Sequence, residues 1–276
     1  MEGLYLYCLR EKTEGSPAFS SKGIDGRGEV FAIPYRKLEA VVSKVSLEEF
    51  GSSEIQKKAQ EDLKWIKERG VVHERVIEEA MRKPTRSAGG DDKVLNLIPM
   101  RFGAIFKEEA RLEEILNKDY SKIKEVLERI RGKQEWSIKV YLRDREKFEQ
   151  VIKEKNEAIK EKEKEIAVLD EGMAFFMEEE LKEVISKEAN KELNNIVEVL
   201  FKNLGKQAMD STKSRILEKE LTGKREPMVL NAAYLIPEEK VKNFKEEIES
   251  LNQQIEIKGF YLEYSGPWPA FNFSSY

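Results

Sequence analysis

Few residues in this sequence could carry acid–base, nucleophilic or metal chemistry. His73 is the single histidine and Cys8 is the single cysteine. A histidine works as a general base or metal ligand only with partners, and protein zinc sites need several nitrogen, oxygen or sulfur ligands. We therefore expect His73 to be a partly buried or surface residue of a helix. We expect Cys8 to be a buried strand residue without a histidine beside it.

Acidic residues at two places could hold a cation, but each has a simpler explanation. Asp91 and Asp92 lie in a glycine-flanked loop, where a carboxylate pair is usually solvated. Glu178, Glu179 and Glu180 begin a predicted helix, where the macrodipole favours acidic residues. No glycine-rich phosphate loop joins a strand to a helix. The sequence therefore predicts no catalytic residue, no metal site, no cofactor and no small-molecule substrate, and we expect a protein that is not an enzyme.

Length and composition suit two folded domains. The chain has 276 residues, of which 40% are hydrophobic and 37% charged, with 49 basic and 53 acidic residues and a net charge of −4. Such a length exceeds one typical domain. Phosphate-backbone binding needs a concentrated basic surface, so nucleic acid is not an expected partner. The sequence shows no 18-residue apolar run and no secretory signal pattern, and we expect a cytoplasmic protein without membrane insertion.

The first part of the chain predicts an N-terminal α+β domain over residues 1–132. Short apolar runs favour strands, and apolar residues at intervals of three and four favour helices. The predicted elements are strands 3–9, 29–34, 38–45 and 94–98, helices 54–69 and 72–82, a loop at 84–92, and a helix 108–131 interrupted near Asp119 and capped by Gly132.

The second part, residues 133–276, predicts a ferredoxin-like domain. A strand at 135–142 alternates apolar and polar residues, and long helices over about 144–205, interrupted at Gly172, carry apolar stripes. Strands at 215–221 and 228–236, a helix after Pro237 and a strand at 255–264 follow. This is the βαββαβ order. The predicted fold class is thus α+β, with two domains, the second a modified ferredoxin-like domain with an extended helical insert.

Three segments contain candidate interaction residues. These residues are Arg101, Phe102, Gly103, Asn231, Tyr234, Gly266, Pro267, Trp268 and Pro269. Gly103 permits a bend or a close backbone approach, while Arg101 must reach solvent or a carboxylate. Asn231 interrupts an apolar strand, so its amide needs hydrogen-bond partners. The two prolines beside Trp268 predict a stiff arm that leaves the sheet, and its indole either meets a partner or folds back onto the core.

Six segments, taken in order, resemble the GvpL/GvpF family of gas vesicle proteins. They are GLYLYCL at 3–9, HERVIEEAMR at 73–82, LIPMRFGAIF at 97–106, EWSIKVYL at 135–142, LNAAYLI at 230–236 and EYSGPWPAF at 263–271. The combination of PMRFG, NAAYL and GPWP is the specific part of the match. The chain departs from the family pattern at Glu178, Glu179 and Glu180, where the family usually carries basic residues.

The resemblance implies a non-enzymatic accessory or minor structural protein of gas vesicle formation. Its implied partners are the small hydrophobic shell protein and other gas vesicle accessory proteins, and its implied location is the gas vesicle. The resemblance also implies an N-terminal α+β domain and a C-terminal modified ferredoxin-like domain with extended helices.

Two alternative functions stay open at this point. One is a helical scaffold that self-associates through residues 144–204, unrelated to shell-subunit binding. The other is a small-ligand-binding or enzymatic ferredoxin-like protein, since that fold hosts many unrelated functions.

Overall fold

A computed structural model describes residues 1–13, 19–82 and 94–275. The chain divides into two compact units, Met1–Glu135 together with Gly266–Tyr276, and Trp136–Ser265. The α+β class is confirmed, because each unit combines a β-sheet with helices. The predicted loop at 84–92, with Asp91 and Asp92, lies outside the described residues.

The sheet of the first unit is built around one central strand. Its strands are β1 (Glu2–Glu11), β2 (Val30–Tyr35), β3 (Leu38–Ser46), β4 (Leu97–Pro99) and β5 (Ile105–Phe106). Their order is β2-β3-β1-β4, and β5 also pairs with β1. β1 pairs antiparallel with β3, from Glu2 opposite Ser46 to Glu11 opposite Leu38. Every residue of β1 between its two ends is buried, as expected for a strand covered on both faces.

Helices cover this sheet, and a side-chain cap sets where α3 begins. They are α1 (Leu47–Phe50), α2 (Ser52–Glu61), α3 (Leu63–Met81) and α4 (Glu109–Ile130). The predicted break near residues 70–71 is wrong. The break between the two helices lies at Asp62, whose carboxylate accepts a hydrogen bond from the Trp65 amide at 2.9 Å and caps α3. α4 runs through Asp119 without the predicted interruption, and Gly132 follows its end with a φ of +67°.

The second unit follows the βαββαβ order that the sequence predicts. Its strands are β6 (Lys133–Leu142), β7 (Asp210–Lys213), β8 (Met228–Pro237) and β9 (Phe260–Trp268), and its helices are α5 (Arg145–Lys155), α6 (Glu157–Ile166), α7 (Glu171–Gly205), α8 (Lys219–Thr222) and α9 (Val241–Glu256), with a 3-10 turn at Glu238–Lys240. The sheet order is β7-β8-β6-β9. The inserted helices α5 to α7 lie between the first two strands, and α9 lies between the last two.

The core of this unit combines alternating strand residues with helical stripes. β6 contributes Trp136, Ile138, Val140 and Leu142; β8 contributes Leu230, Ala232, Tyr234 and Ile236; α9 contributes Phe244, Ile248, Leu251 and Ile255; and α7 contributes its C-terminal half, including Leu200 and Leu204. A separate small cluster holds α6 against the N-terminal half of α7, through Ile159, Ile166 and Leu181 with Ala174, Met177, Val184 and Ile185.

The helix boundaries within the insert differ from the predicted ones, because capping side chains set them. Asn156 ends α5 and caps α6, with its side-chain oxygen accepting from the amides of Ala158 and Ile159, so the predicted helix 144–169 is two helices. Asp170 accepts from the Met173 amide and begins α7. Gly172 therefore lies within the first turn of α7 and does not interrupt a helix.

Two predicted strands are also misplaced. The strand predicted at 215–221 is wrong: β7 lies at Asp210–Lys213, and part of the predicted segment forms α8. The strand predicted at 255–264 begins at Phe260, because α9 continues to Glu256 and Gly259 turns the chain with a φ of +85°. Phe260 and Leu262 of β9 are buried, whereas Tyr264 is 40% exposed.

The separate cluster of the insert leads to a test by paired substitutions. Leu204→Ala removes a fully buried side chain from the main core and should lower the free energy of unfolding by about 2–5 kcal/mol. Leu181→Ala weakens only the smaller cluster. Hydrogen exchange should therefore quicken in residues 157–185 of Leu181→Ala while the amides of β8 keep their protection. Equal loss of β8 protection in both variants would show that the two clusters unfold as one.

Candidate protein-interaction surfaces

The PMRFG segment builds a buried polar network in the first unit. The Gly103 amide donates a hydrogen bond to the Tyr5 hydroxyl at 3.0 Å, with Gly103 at a φ of +88°. The Phe102 ring meets the edges of Tyr5 and His73, with centroids 6.2 and 5.9 Å away. Arg101 is exposed. Phe102 and Gly103 thus support the fold, and of the three only Arg101 points a polar group at solvent.

His73 lies at the centre of this network and is buried. Its Nε2 is 3.0 Å from the Met100 carbonyl oxygen, and its Nδ1 is 3.0 Å from the Tyr5 hydroxyl. A carbonyl only accepts, so Nε2 carries the proton and Nδ1 accepts from Tyr5. Burial lowers the pKa of His73 to about 4, although the Met100 hydrogen bond acts in the opposite direction. Both ring nitrogens are occupied by protein partners, which is the arrangement of a structural histidine.

The low pKa of His73 makes stability depend on pH. Between pH 6.5 and pH 4 the unfolded chain protonates this imidazole and the folded chain does not, so stability falls as pH falls. The loss attributable to His73 should reach roughly 3 kcal/mol at pH 4, at 1.36 kcal/mol for each pKa unit. Urea unfolding at pH 7 and pH 4 measures this loss. His73→Gln, which stays neutral, should be less stable at pH 7 and should lose correspondingly less on acidification. An equal loss in both proteins would contradict this assignment.

A second buried polar group of the first unit was not anticipated from the sequence. Arg10 and Glu39 are each 1% exposed, and Arg10 Nε lies 2.7 Å from Glu39 Oε1. Arg10 Nη1 donates to the Ala80 carbonyl oxygen at 2.5 Å. Among the described residues, Arg10 Nη2 has no hydrogen-bond partner. The sequence contained little signal for this pair, because Arg10 follows the predicted strand 3–9 and Glu39 shares its predicted strand with a second charged residue, Lys44.

The candidates in β8 are also held by the fold. The Asn231 side-chain amide donates to the Arg215 carbonyl oxygen at 2.8 Å, and the Asn231 backbone carbonyl oxygen accepts from the Ser214 backbone amide. Tyr234 is fully buried and donates to the Phe201 carbonyl oxygen at 3.3 Å. Burial raises the pKa of Tyr234. Asn231 therefore ties the segment after β7 to β8, which meets the need for a partner that the sequence indicated.

The C-terminal segment differs from the predicted arm. β9 continues through Gly266, Pro267 and Trp268, which is possible because β9 is an edge strand and edge strands tolerate proline. Trp268 is half-buried and Pro269 is buried. From Gly266 onward the chain belongs to the first unit, where the buried Glu135 carboxylate accepts from the Asn272 backbone amide at 3.0 Å and from the Asn272 side chain at 2.7 Å. The tail is therefore fastened to the protein beyond Trp268.

The two expectations for Trp268 are separable with one variant. Because the indole is half-buried, Trp268→Ala should lower the free energy of unfolding by about 1–3 kcal/mol, below the range for a fully buried aromatic residue. Thermal unfolding gives this value, and a binding assay on the folded variant tests the interface hypothesis. Unchanged partner binding would remove Trp268 from the interaction candidates.

An apolar depression in the second unit was not predicted from the sequence. We call it the α5–α7 groove. It has a volume of about 920 Å³. Its apolar lining comes from Phe148, Val151, Ile152, Ile196 and Ile257. Its charged lining comes from Arg143, Asp144, Lys147, Lys155, Glu157, Glu188, Glu192, Glu256 and Lys258. Ile257, in the turn after α9, is 90% exposed. A lining that combines apolar side chains with charges of both signs is typical of a protein-binding groove.

The described residues contain neither a candidate metal site nor a candidate membrane span. Within residues 1–13, 19–82 and 94–275, no group of three or more His, Cys, Asp or Glu side chains is placed to hold a metal ion. In the same part of the chain, no helix has the length and apolar character needed to cross a membrane.

Comparisons with known proteins agree on one family. The family model described as gas vesicle synthesis protein GvpL/GvpF matches residues 3–275. Gas vesicle protein F of Nostoc sp. is 25% identical over 203 residues, which cover 72% of this chain and 75% of that protein. Gas vesicle protein L of Streptomyces sp. is 22% identical over 272 residues, covering 98% and 92%.

Two solved structures share the fold. The crystal structure of GvpF from Anabaena sp. matches with a TM-score of 0.76 at 20% identity and covers 100% of this chain and 99% of that one. GvpF from Microcystis aeruginosa matches with a TM-score of 0.68 at 21% identity and covers 99% of both chains.

Proposed function

The chain belongs to the gas vesicle synthesis protein GvpL/GvpF family, and we propose that in gas vesicle formation it binds the hydrophobic shell subunit through the α5–α7 groove, without catalysing a reaction. The observation that carries this proposal is the apolar lining of the groove beside the exposed Ile257. A shell subunit must stay soluble before it assembles, and a charged carrier that covers its apolar face would keep it so.

The dimensions and chemistry of the groove favour a helical segment as its occupant. An amphipathic helix inserts a few apolar side chains into such a depression and leaves its polar face in water. The charged lining includes four basic and five acidic residues, so no one-signed field attracts the occupant. Apolar burial at about 25 cal/mol per Å² therefore supplies most of the affinity.

The buried polar groups support a role without catalysis. His73 has both nitrogens engaged and a pKa of about 4, so it is neutral and inaccessible at neutral pH. Burial raises the pKa of the Cys8 thiol to about 12, which removes the thiolate that a nucleophile needs. The two most reactive residue types in the chain are therefore both structural.

Ile257→Glu tests the groove with little risk to the fold, because this side chain is 90% exposed. In co-expression with the shell subunit, the variant should recover at least tenfold less soluble shell subunit, equivalent to about 1.4 kcal/mol of binding free energy. Leu221→Glu is the matched control, since Leu221 is 74% exposed in the same unit and does not line the groove.

Salt dependence separates apolar from electrostatic binding. The complex of the wild-type chain should survive salt that screens exposed charges beyond about 8 Å. Dissociation at high salt, or equal recovery with Ile257→Glu and Leu221→Glu, would contradict the proposal. Self-association of the chain that competes with the shell subunit, detected by sedimentation, would favour the scaffold alternative.

A further inference from the structure

The turn between α6 and α7 and the first turns of α7 expose a set of apolar side chains that do not pack in either core cluster of this unit. We call it the apolar tip: Val168, Leu169, Met173, Phe175 and Phe176. Val168 is 83% exposed and Phe176 is 71% exposed. The cluster that joins α6 to α7 instead uses Ala174, Met177 and Leu181, which lie on another face of the helix. Met173 and Phe176 are three residues apart on α7, so they share one outward face, while Val168 and Leu169 lie in the turn that precedes Asp170.

The apolar tip lies within the most acidic part of the chain. Residues 165–183 contain seven acidic residues and one basic residue, Lys182, a net charge of −6. The whole chain has a net charge of −4, so the remaining residues together carry +2. Glu171, Glu178 and Glu180 are exposed beside the tip. An apolar surface of this kind is therefore bordered by one sign of charge, unlike the α5–α7 groove.

This charge narrows the possible occupants. Anionic lipid headgroups repel a segment of charge −6, so a membrane surface is disfavoured despite the exposed phenylalanines. The same repulsion acts between the tips of two copies of this chain. A protein surface with apolar residues flanked by lysine or arginine covers the phenylalanines and neutralises the carboxylates together.

We propose that the apolar tip is a second docking site, for a protein segment whose apolar residues are flanked by Lys or Arg. This inference goes beyond the shell-subunit groove, because the tip and the groove share no lining residue. The carboxylates at 178–180 speed and orient the encounter, and the side chains of Phe175 and Phe176 supply the buried contact.

Site-specific photo-cross-linking tests this proposal in the full chain. A benzophenone amino acid replaces the exposed Met173, or Leu221 as the control position, in cells that assemble gas vesicles. We expect the Met173 probe to cross-link one protein, through a peptide with Lys or Arg within a few residues of the cross-link. Cross-links to lipid or to a second copy of this chain, or a yield no higher than at Leu221, would overturn the proposal.

Charge variants test the electrostatic part of the proposal. The triple substitution Glu178→Lys, Glu179→Lys and Glu180→Lys should reduce the Met173 cross-link at least tenfold, and changing the basic residues of the cross-linked peptide to glutamate should restore it. Unchanged cross-linking would refute the electrostatic part of the proposal. Circular dichroism confirms that the triple variant is folded.

The groove variant keeps the two proposals distinguishable. Ile257→Glu should leave the Met173 cross-link intact while reducing shell-subunit recovery. If it abolished the cross-link instead, the tip would not be an independent site.

Discussion

The helix α7 is the constraint on which both proposed surfaces depend, because only one of its ends is built into the main core. It has 35 residues and is about 52 Å long at 1.5 Å per residue. Its C-terminal half, with Leu200 and Leu204, packs in the core of the second unit. Its N-terminal half packs against α6 through the smaller cluster, and the Arg145 side chain of α5 donates a hydrogen bond to its Ser186 carbonyl oxygen. The wall of the groove and the exposed tip are thus consequences of one helix that extends beyond its own core.

In the first unit, the main constraint is the burial of polar side chains that belong to the central strand. β1 is covered on both faces, so the hydroxyl of Tyr5 and the guanidinium of Arg10 need partners inside the protein. His73 and Gly103 are hydrogen-bond partners of the Tyr5 hydroxyl, and Glu39 and Ala80 accept hydrogen bonds from the Arg10 guanidinium. Residues that look functional in the sequence, such as His73 and Gly103, are therefore required by this burial.

The sequence predicted the elements better than their ends, for a reason visible in the caps. Apolar alternation in β6 and the stripe of α9 specify type and face, so the βαββαβ order could be predicted. The helix breaks lie at Asp62, Asn156 and Asp170, whose side chains cap the helices that follow. They do not lie near residues 70–71 or at Gly172, where the sequence predicted them. β7, with sequence DSTK, has no apolar alternation to detect. The groove was beyond sequence reasoning because α5, α7 and the turn after α9 are far apart along the chain.

Two docking sites on one rigid helix would have a consequence that neither site has alone. Met173 in the tip and Glu192 in the groove lining are 19 residues apart on α7, which is about 28 Å along the helix. A partner bound at one site would be held at a high effective concentration for the other, without any new contact. Because α7 is a continuous helix, the separation would be fixed and not averaged as in a flexible linker. A protein of this design would act as a spacer that sets the distance between two components of an assembly, a role that needs geometry and no chemistry.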